Sequence, residues 1–315
     1  MSVIQALDIG LALLVLAVAG WTIAAREAFA SVVGYVAYGL LLSLVWVRLF
    51  AVDVALTEAA IGSGVTGVLL ISAVVRLRRT EAPAAGERPG VLLRILAAAL
   101  CTVVAAALAA VVLLKPDPGA TLAPEAASHL GELGVGNPIT AVLIAYRSFD
   151  TMLEKVVLIL AVIGVWSLAP DRTWGGAAGP RRIARPEGAL AFLAQLLPPL
   201  GIVVAIHIVW VGANEPGGAF QGGAILAAMV LIVMMARLAE APEIRRRWLR
   251  LALIAGPAVF LVIGVAGFVV PGSFLAYPAG WAKPLILFIE AFMTLSIAAT
   301  LPMLVIGPPN RPPRT

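Results

Sequence analysis

Six ionisable side chains fall in or at the edge of long apolar runs: Asp53, Glu58, Glu154, Lys155, Lys283 and Glu290. A charge at the centre of a bilayer costs about 3 kcal/mol on insertion scales unless it faces protein or water, so each is a candidate for proton or cation transfer. Glu290 is the sharpest case. It lies about ten residues into the run that starts near Trp281, with Lys283 seven residues earlier on the same helical face. It either lines a wet interior or, protonated, makes one interhelical hydrogen bond. Asp53 and Glu58 open another run and are five residues apart, hence on offset faces. Asp53 reads as a helix-start residue or a site residue, and Glu58 as a buried carboxylate one turn deeper. Gly62, Ser63, Gly64 and Gly67 follow and permit tight helix contact or a local π-bulge. Glu154 sits one turn after Asp150, a plausible N-cap. It reads as an interface charge or a relay member. Lys155 can snorkel or pair. His207 has a proton-transfer pKa range, against the commoner packing role. His129 belongs to a polar loop and reads as solvated.

A second cluster is neutral. Asn214-Glu215-Pro216-Gly217-Gly218-Ala219-Phe220-Gln221-Gly222-Gly223 separates two apolar runs. Lipid cannot satisfy the backbone of such a turn, so protein or water must. The glycines let another backbone approach closely. Asn214 and Gln221 can donate and accept, and either line a hydrated pocket or lock the turn. The stretch is read as a packing and hydration point formed by Asn214, Pro216, Gly217, Gly218, Phe220, Gln221, Gly222 and Gly223.

Other chemistries find no support. The chain has one cysteine, Cys101, and two distant histidines, so no metal or iron–sulfur site is expected. HExxH, GxSxG and phosphate-loop patterns are missing. No cofactor is expected, and no chemical catalysis by this chain alone.

The elements that must position these residues are membrane helices. Hydrophobic residues make up 62% of the chain and charged ones 12%, against about 45–50% and about 25% in soluble domains. The expected class is an all-α, polytopic membrane protein. Nine apolar runs are long enough to span: 3–25, 28–50, 54–75, 91–114, 150–169, 189–212, 217–238, 251–270 and 281–306. The first lacks a basic n-region and reads as a membrane helix rather than a leader. With nine spans, one side receives only Arg48, Lys115 and Arg147 of the 22 Lys and Arg. Lys155 and Lys283 lie within runs, and the other seventeen fall on the opposite side. The positive-inside rule then places the N-terminus outside and the C-terminus in the cytoplasm. It also explains the net charge of +5 without nucleic acid. Basic Pro- and Gly-rich linkers divide the chain into blocks of three, two and four helices, 1–80, 81–186 and 187–315, as if separate polypeptides had been fused.

These blocks carry a resemblance. The stretch 214–223 with its following helix resembles the B subunit (MnhB/MrpB) of Mrp-type multisubunit Na⁺/H⁺ antiporters and its counterpart in membrane-bound hydrogenases. Ala219 stands where the family usually has a further glycine. The stretch 53–72 resembles the three-helix D subunit of such hydrogenases, equivalent to a C-terminal part of the large antiporter A subunit. The stretch 137–165, with Asn137-Pro138, Tyr146-Arg147 and Phe149-Asp150, resembles the two-helix E subunit. The resemblance implies a fused accessory subunit of a cation/proton antiporter module in a bacterial inner (cytoplasmic) membrane. Its implied partners are large pump-like subunits, small C-, F- and G-like subunits, and lipid. The D- and E-like blocks also look like subunit J of respiratory complex I. By position, Asp53, Glu58 and Glu154 inherit a place in the family's proposed ion path, and Glu290 is the carboxylate of the last block. The pump-like subunits are not in this chain, so it is not expected to transport ions alone.

Three readings remain open on sequence: a transport subunit relaying H⁺ or binding Na⁺, a structural scaffold, and an intramembrane enzyme. The host could be an antiporter, a hydrogenase or another complex I-like machine.

Overall fold

The computed structural model describes residues 2–84, 90–116, 119, 121–179, 188–270 and 272–313. Arg88, Arg181, Arg182, Arg185 and Arg314, counted in the charge asymmetry, lie outside them. All regular elements among the described residues are helical. Seven helices are long and apolar enough to cross a membrane. They are α1 (Val3–Ala24), α2 (Ala28–Arg48), the composite Val52–Leu77, α5 (Val91–Leu114), α10 (Ala189–Val211), α12 (Arg247–Ala266) and α13 (Ala282–Ile306). The two remaining apolar runs are also helical: α9 (Ser148–Ser167) and α11 (Ala219–Met235). α11 rises about 25 Å, short of the ~30 Å hydrocarbon core. Its glycine-rich approach must make up the difference.

The third span is not uniform. A short α3 (Val52–Thr57) passes into a π-helix, Glu58–Val65, and then into α4 (Thr66–Ala84). The π segment contains the Gly62-Ser63-Gly64 triplet, where small residues leave room for the wider turn. The expected span at 150–169 begins earlier. α8 (Pro138–Ala141) and a second π segment (Val142–Tyr146) precede α9, and the chain breaks at Arg147 (φ −124°, ψ 35°). Asn137 caps this broken helix, its side chain accepting from the Ile139 amide at 2.9 Å. Pro138 follows at the first helical position, where its missing N–H costs nothing. The polar loop before it is partly helical, with α6 (Ala123–Ser128) and α7 (Leu130–Leu133).

The core is α13, half of whose apolar window is buried. α11, α12 and α9 pack on it. Glycine permits the closest approaches: a Cβ on Gly223 would lie 2.7 Å from Ile297 Cβ, and one on Gly256 3.0 Å from Met293 Cα. α5 is the opposite case, with none of its window buried.

The loops gather at two ends. Gly136 and Asn137 donate backbone N–H groups to Ala213 O, and Lys283 Nζ donates to Asn214 Oδ1 at 3.0 Å. At the other end Ile244 N donates to Gly176 O, and Asn310 N and Arg311 N donate to Ala177 O. Loops that alternating spans assign to one side therefore meet one another.

Candidate functional site

The site is the seam where α3, the broken helix after Asn137 and the glycine-rich turn converge. Asp53 is buried. Its Oδ1 accepts the Gly217 N–H at 2.8 Å, and its Oδ2 lies 3.4 Å from the donating Asn137 Nδ2. Asn137 Nδ2 also reaches Gly212 O at 3.2 Å and Glu215 O at 3.0 Å. Thr140 Oγ1 donates to the same Gly212 O at 2.6 Å. Gln221 Nε2 donates to Asp53 O at 3.3 Å and to Thr57 Oγ1 at 3.1 Å. The Asp53 carboxylate, the Asn137 amide and the Thr140 hydroxyl thus satisfy the turn that lipid could not, and Gln221 ties it back to α3.

The turn's geometry needs glycine. Gly217 and Gly218 have φ of 154° and 133°. A Cβ on Gly217 would sit 2.5 Å from Ile208 O. One on Gly218 would sit 2.9 Å from Glu290 Oε1, so the missing side chain is what lets this carboxyl reach the turn. Gly222 and Gly223 face Val209 and Ile297 and let α11 nest between α10 and α13. Ala219, in place of the family's glycine, is buried and its amide donates to Glu290.

Glu290 is 3% exposed. Its second oxygen, Oε2, is buried without a hydrogen-bond partner. The carboxyl borders a cavity of about 440 Å³ that Asp53, Thr57, Thr140, Glu154 and Gln221 also line. Glu154 is about half exposed, so it joins the cavity to the surface. Lys155 is fully buried and does not snorkel. Its Nζ sits 3.4 Å from the centre of the Phe220 ring, a cation–π contact, and 3.7 Å from Glu154 Oε2. It has no hydrogen-bond acceptor. Asp53, Glu154 and Glu290 therefore share one cavity, with an ammonium behind its Phe220 wall.

The remaining sequence candidates separate from this cluster. Glu58 opens the π-helix and turns towards α2: a Cβ on Gly39 would lie 3.0 Å from its Oε1, and one on Gly62 would collide with it. Lys283 does not partner Glu290; it holds Asn214 at the outer end of the turn. Asn214 Oδ1 also accepts the Gly136 amide at 3.3 Å, so Asn214 locks the turn. Pro216 is exposed and fixes the chain entering Gly217. His207 is exposed, as are Val203, Ile206 and Trp210 on the same helix, and it takes no part in the cluster.

Sequence reading missed three contributors. Asn137 entered only through a resemblance motif, and its acceptors lie 75 or more residues away. Thr140 looks like ordinary helix filler. Tyr277, between α12 and α13, donates to Ile144 O at 2.7 Å and pins the π segment of the broken helix. Burial, with the Glu290 charge behind it, holds its phenol well above the ordinary value, so it stays a neutral donor. No sequence periodicity flags a loop tyrosine.

The fold and this seam define a multi-span membrane protein in which α3, the broken helix and the glycine-rich turn meet at a buried acidic junction. Two family models match in series: MbhD, the D component of MBH, over residues 13–79, and the domain related to the MnhB subunit of the Na⁺/H⁺ antiporter over residues 189–307. In one polypeptide the chain is thus similar to a D-like block followed by a B-like block. A chain in the structure of the Mrp complex from Dietzia sp. DQ12-45-1b has the same fold (TM-score 0.76, 24% identity), with 97% of this chain and 35% of that one covered. A chain of the membrane-bound sulfane sulfur reductase, an archaeal respiratory membrane complex, matches at TM-score 0.56 and 23% identity over 68% of this chain and 97% of its own. An uncharacterized protein of Methanocaldococcus jannaschii is 27% identical over 156 residues, 45% of this chain. This chain spans 60% of that relative and about a third of the Mrp-complex chain.

Proposed function

We propose that this chain is an accessory membrane subunit of a multisubunit cation/proton antiporter module, and that Glu290 and Glu154 handle its protons around a cavity that Asp53 also lines. The carrying observation is the Glu290 carboxyl: buried, with one oxygen held by the Ala219 amide and the other unpartnered beside the cavity. An acid so placed can take up and release a proton without breaking the fold. Glu154 is the surface entry, and Lys155 behind Phe220 biases the local field. The cavity wall is mostly apolar, but Asp53, Thr57, Thr140, Glu154, Gln221 and Glu290 on it offer water several partners, and water held there completes the relay. Glu58 is a second acidic station, facing α2.

The chain works with membrane partners: pump-like large subunits and small C-, F- and G-like subunits. It performs no chemical catalysis itself. The coupled ion is H⁺, exchanged for Na⁺ by the assembly. The charge asymmetry supports nine spans with an external N-terminus and a cytoplasmic C-terminus, and the resemblance supports a bacterial inner-membrane location. The three-block division at 1–80, 81–186 and 187–315 belongs to the same reading, the middle block being E-like.

Glu290→Gln in the assembled complex tests it. The variant keeps shape and one hydrogen-bonding oxygen but cannot ionise. Antiport measured in everted vesicles is expected to be lost while all subunits co-purify. Full activity in that assembled variant sinks the proposal. A scaffold role is favoured for Asp53 alone, whose two oxygens are already committed to Gly217 and Asn137.

A further inference from the structure

A cavity of about 610 Å³ lies far from the acidic seam. It is a slot between α11, α12 and α13 at the end where loops 171–179, 240–246 and 307–313 meet. Its origin is a change of side-chain size. Ala252 of α12 and Ala298 and Ala299 of α13 lie where longer residues would fill the space between the helices. Val230, Trp248 and Leu295 border the slot and are exposed, so it opens sideways onto the apolar surface.

Charge collects at the loop end of the slot. Glu240 and Glu243 line it but are already engaged, with Arg311 at 3.2 Å and Arg245 at 3.1 Å respectively. Arg246 also lines it, with its side chain exposed. Arg247 and Arg250 follow within one turn and are exposed too. Beside them the Trp248 indole stands at a position typical of a membrane interface. The slot is thus apolar along its length; the charges that line it balance, and the exposed Arg247 and Arg250 beside it tip the mouth to net positive.

We propose that this slot binds an anionic phospholipid, with an acyl chain along Ala252, Ala298 and Ala299 and the phosphate against Arg246. Basic pockets between membrane helices on the cytoplasmic side take acidic headgroups for this electrostatic reason. A zwitterionic lipid could fill the apolar length, yet its ammonium would meet the same arginines. A partner helix without a carboxylate at this level would desolvate Arg246 unpaired.

The test uses the full-length chain purified in mild detergent and native mass spectrometry. Phosphatidylglycerol and phosphatidylcholine with identical acyl chains are the probes. Phosphatidylglycerol is expected to be retained about tenfold better, and the exposed-site change Arg246→Gln to cut that preference about fivefold, the loss of one basic group near an anionic lipid. Ala299→Phe, which fills the slot, is expected to remove retention of both lipids, while Arg246→Gln still reports if Ala299→Phe does not fold. Equal retention of the two lipids, an unchanged preference in Arg246→Gln, or a partner helix cross-linked into the slot in the assembled complex would overturn the proposal.

Discussion

The two ends of the molecule solve the same problem with different chemistry. Each must join loops from distant parts of the chain. At the loop end near Arg311, opposite charges pair: Arg311 with Glu240 and Arg245 with Glu243. At the other end, a buried aspartate is held by a backbone N–H and an amide, without a cationic partner among its described contacts. The neighbouring Glu290 keeps one oxygen unpartnered. These partly buried ion pairs keep some contact with water and can be rearranged at moderate cost. A carboxylate fixed by backbone amides cannot be, because removing either side leaves a buried polar group unmet. The difference separates what merely closes the bundle from what sets the geometry of the acidic cavity.

The sharpest way to break the contrast is at the glycine turn. Gly217→Val combines a strained φ with a collision against Ile208 O, costing about 3 kcal/mol or more. The expected result is loss of monodisperse protein on size-exclusion chromatography in detergent. Gly90→Val, at a glycine with open space around its Cα, is the matched control and is expected to elute normally.

Next in size is Asp53→Ala, which strands the Gly217 N–H, while the Asn137 amide keeps Gly212 O and Glu215 O. One unmet buried donor costs roughly 1–3 kcal/mol, read as a lower midpoint for thermal aggregation. Asp53→Asn, able to accept from Gly217 still, is expected to recover part of it. If Asp53→Ala is as stable as the parent, the seam is not what joins the blocks. At the opposite pole, Arg147→Gln removes a pair with Asp150 in which both partners are more than half exposed. The expected change is within about 1 kcal/mol, invisible beside the first two.

The helices were legible because apolar runs of bilayer length leave few alternatives. The π-helix at Glu58 was legible as one of two options, since a cluster of small residues marks a place where a helix can widen. Glu290 stood out because a lone acid amid Leu, Ile and Phe has no cheap explanation. Lys283 misled: two turns' separation on one face placed it with Glu290, but the helix starts at Ala282 and the long side chain turns outward to Asn214. His207 misled similarly, since an apolar helix shows no amphipathic face to say which side is outward. Asn137 was nearly invisible. Its role depends on a turn far along the chain, and local pattern carries no such information.

The finest distinction between the two chemistries lies outside the membrane, at His129. Its ring nitrogens sit 3.2 Å from Glu132 and 3.3 Å from Glu125. The hydrogen bond to Glu132, then that to Glu125, raises its pKa above the ordinary 6.5. Because the folded value is the higher one, the local stabilisation is fully present below about 6.5 and fades as pH rises through the folded value. The group is solvent-exposed, so the effect is confined to the α6–α7 corner. A ring-proton titration followed by NMR is expected to give a midpoint above 6.5, returning towards it in Glu132→Gln. The Gly136 and Asn137 amides, bonded to Ala213 O only a few residues on, are expected to keep their hydrogen-exchange protection across that same titration. Loss of their protection in step with His129 would mean that the exposed ion pairs, and not the buried amides, hold the loop to the seam.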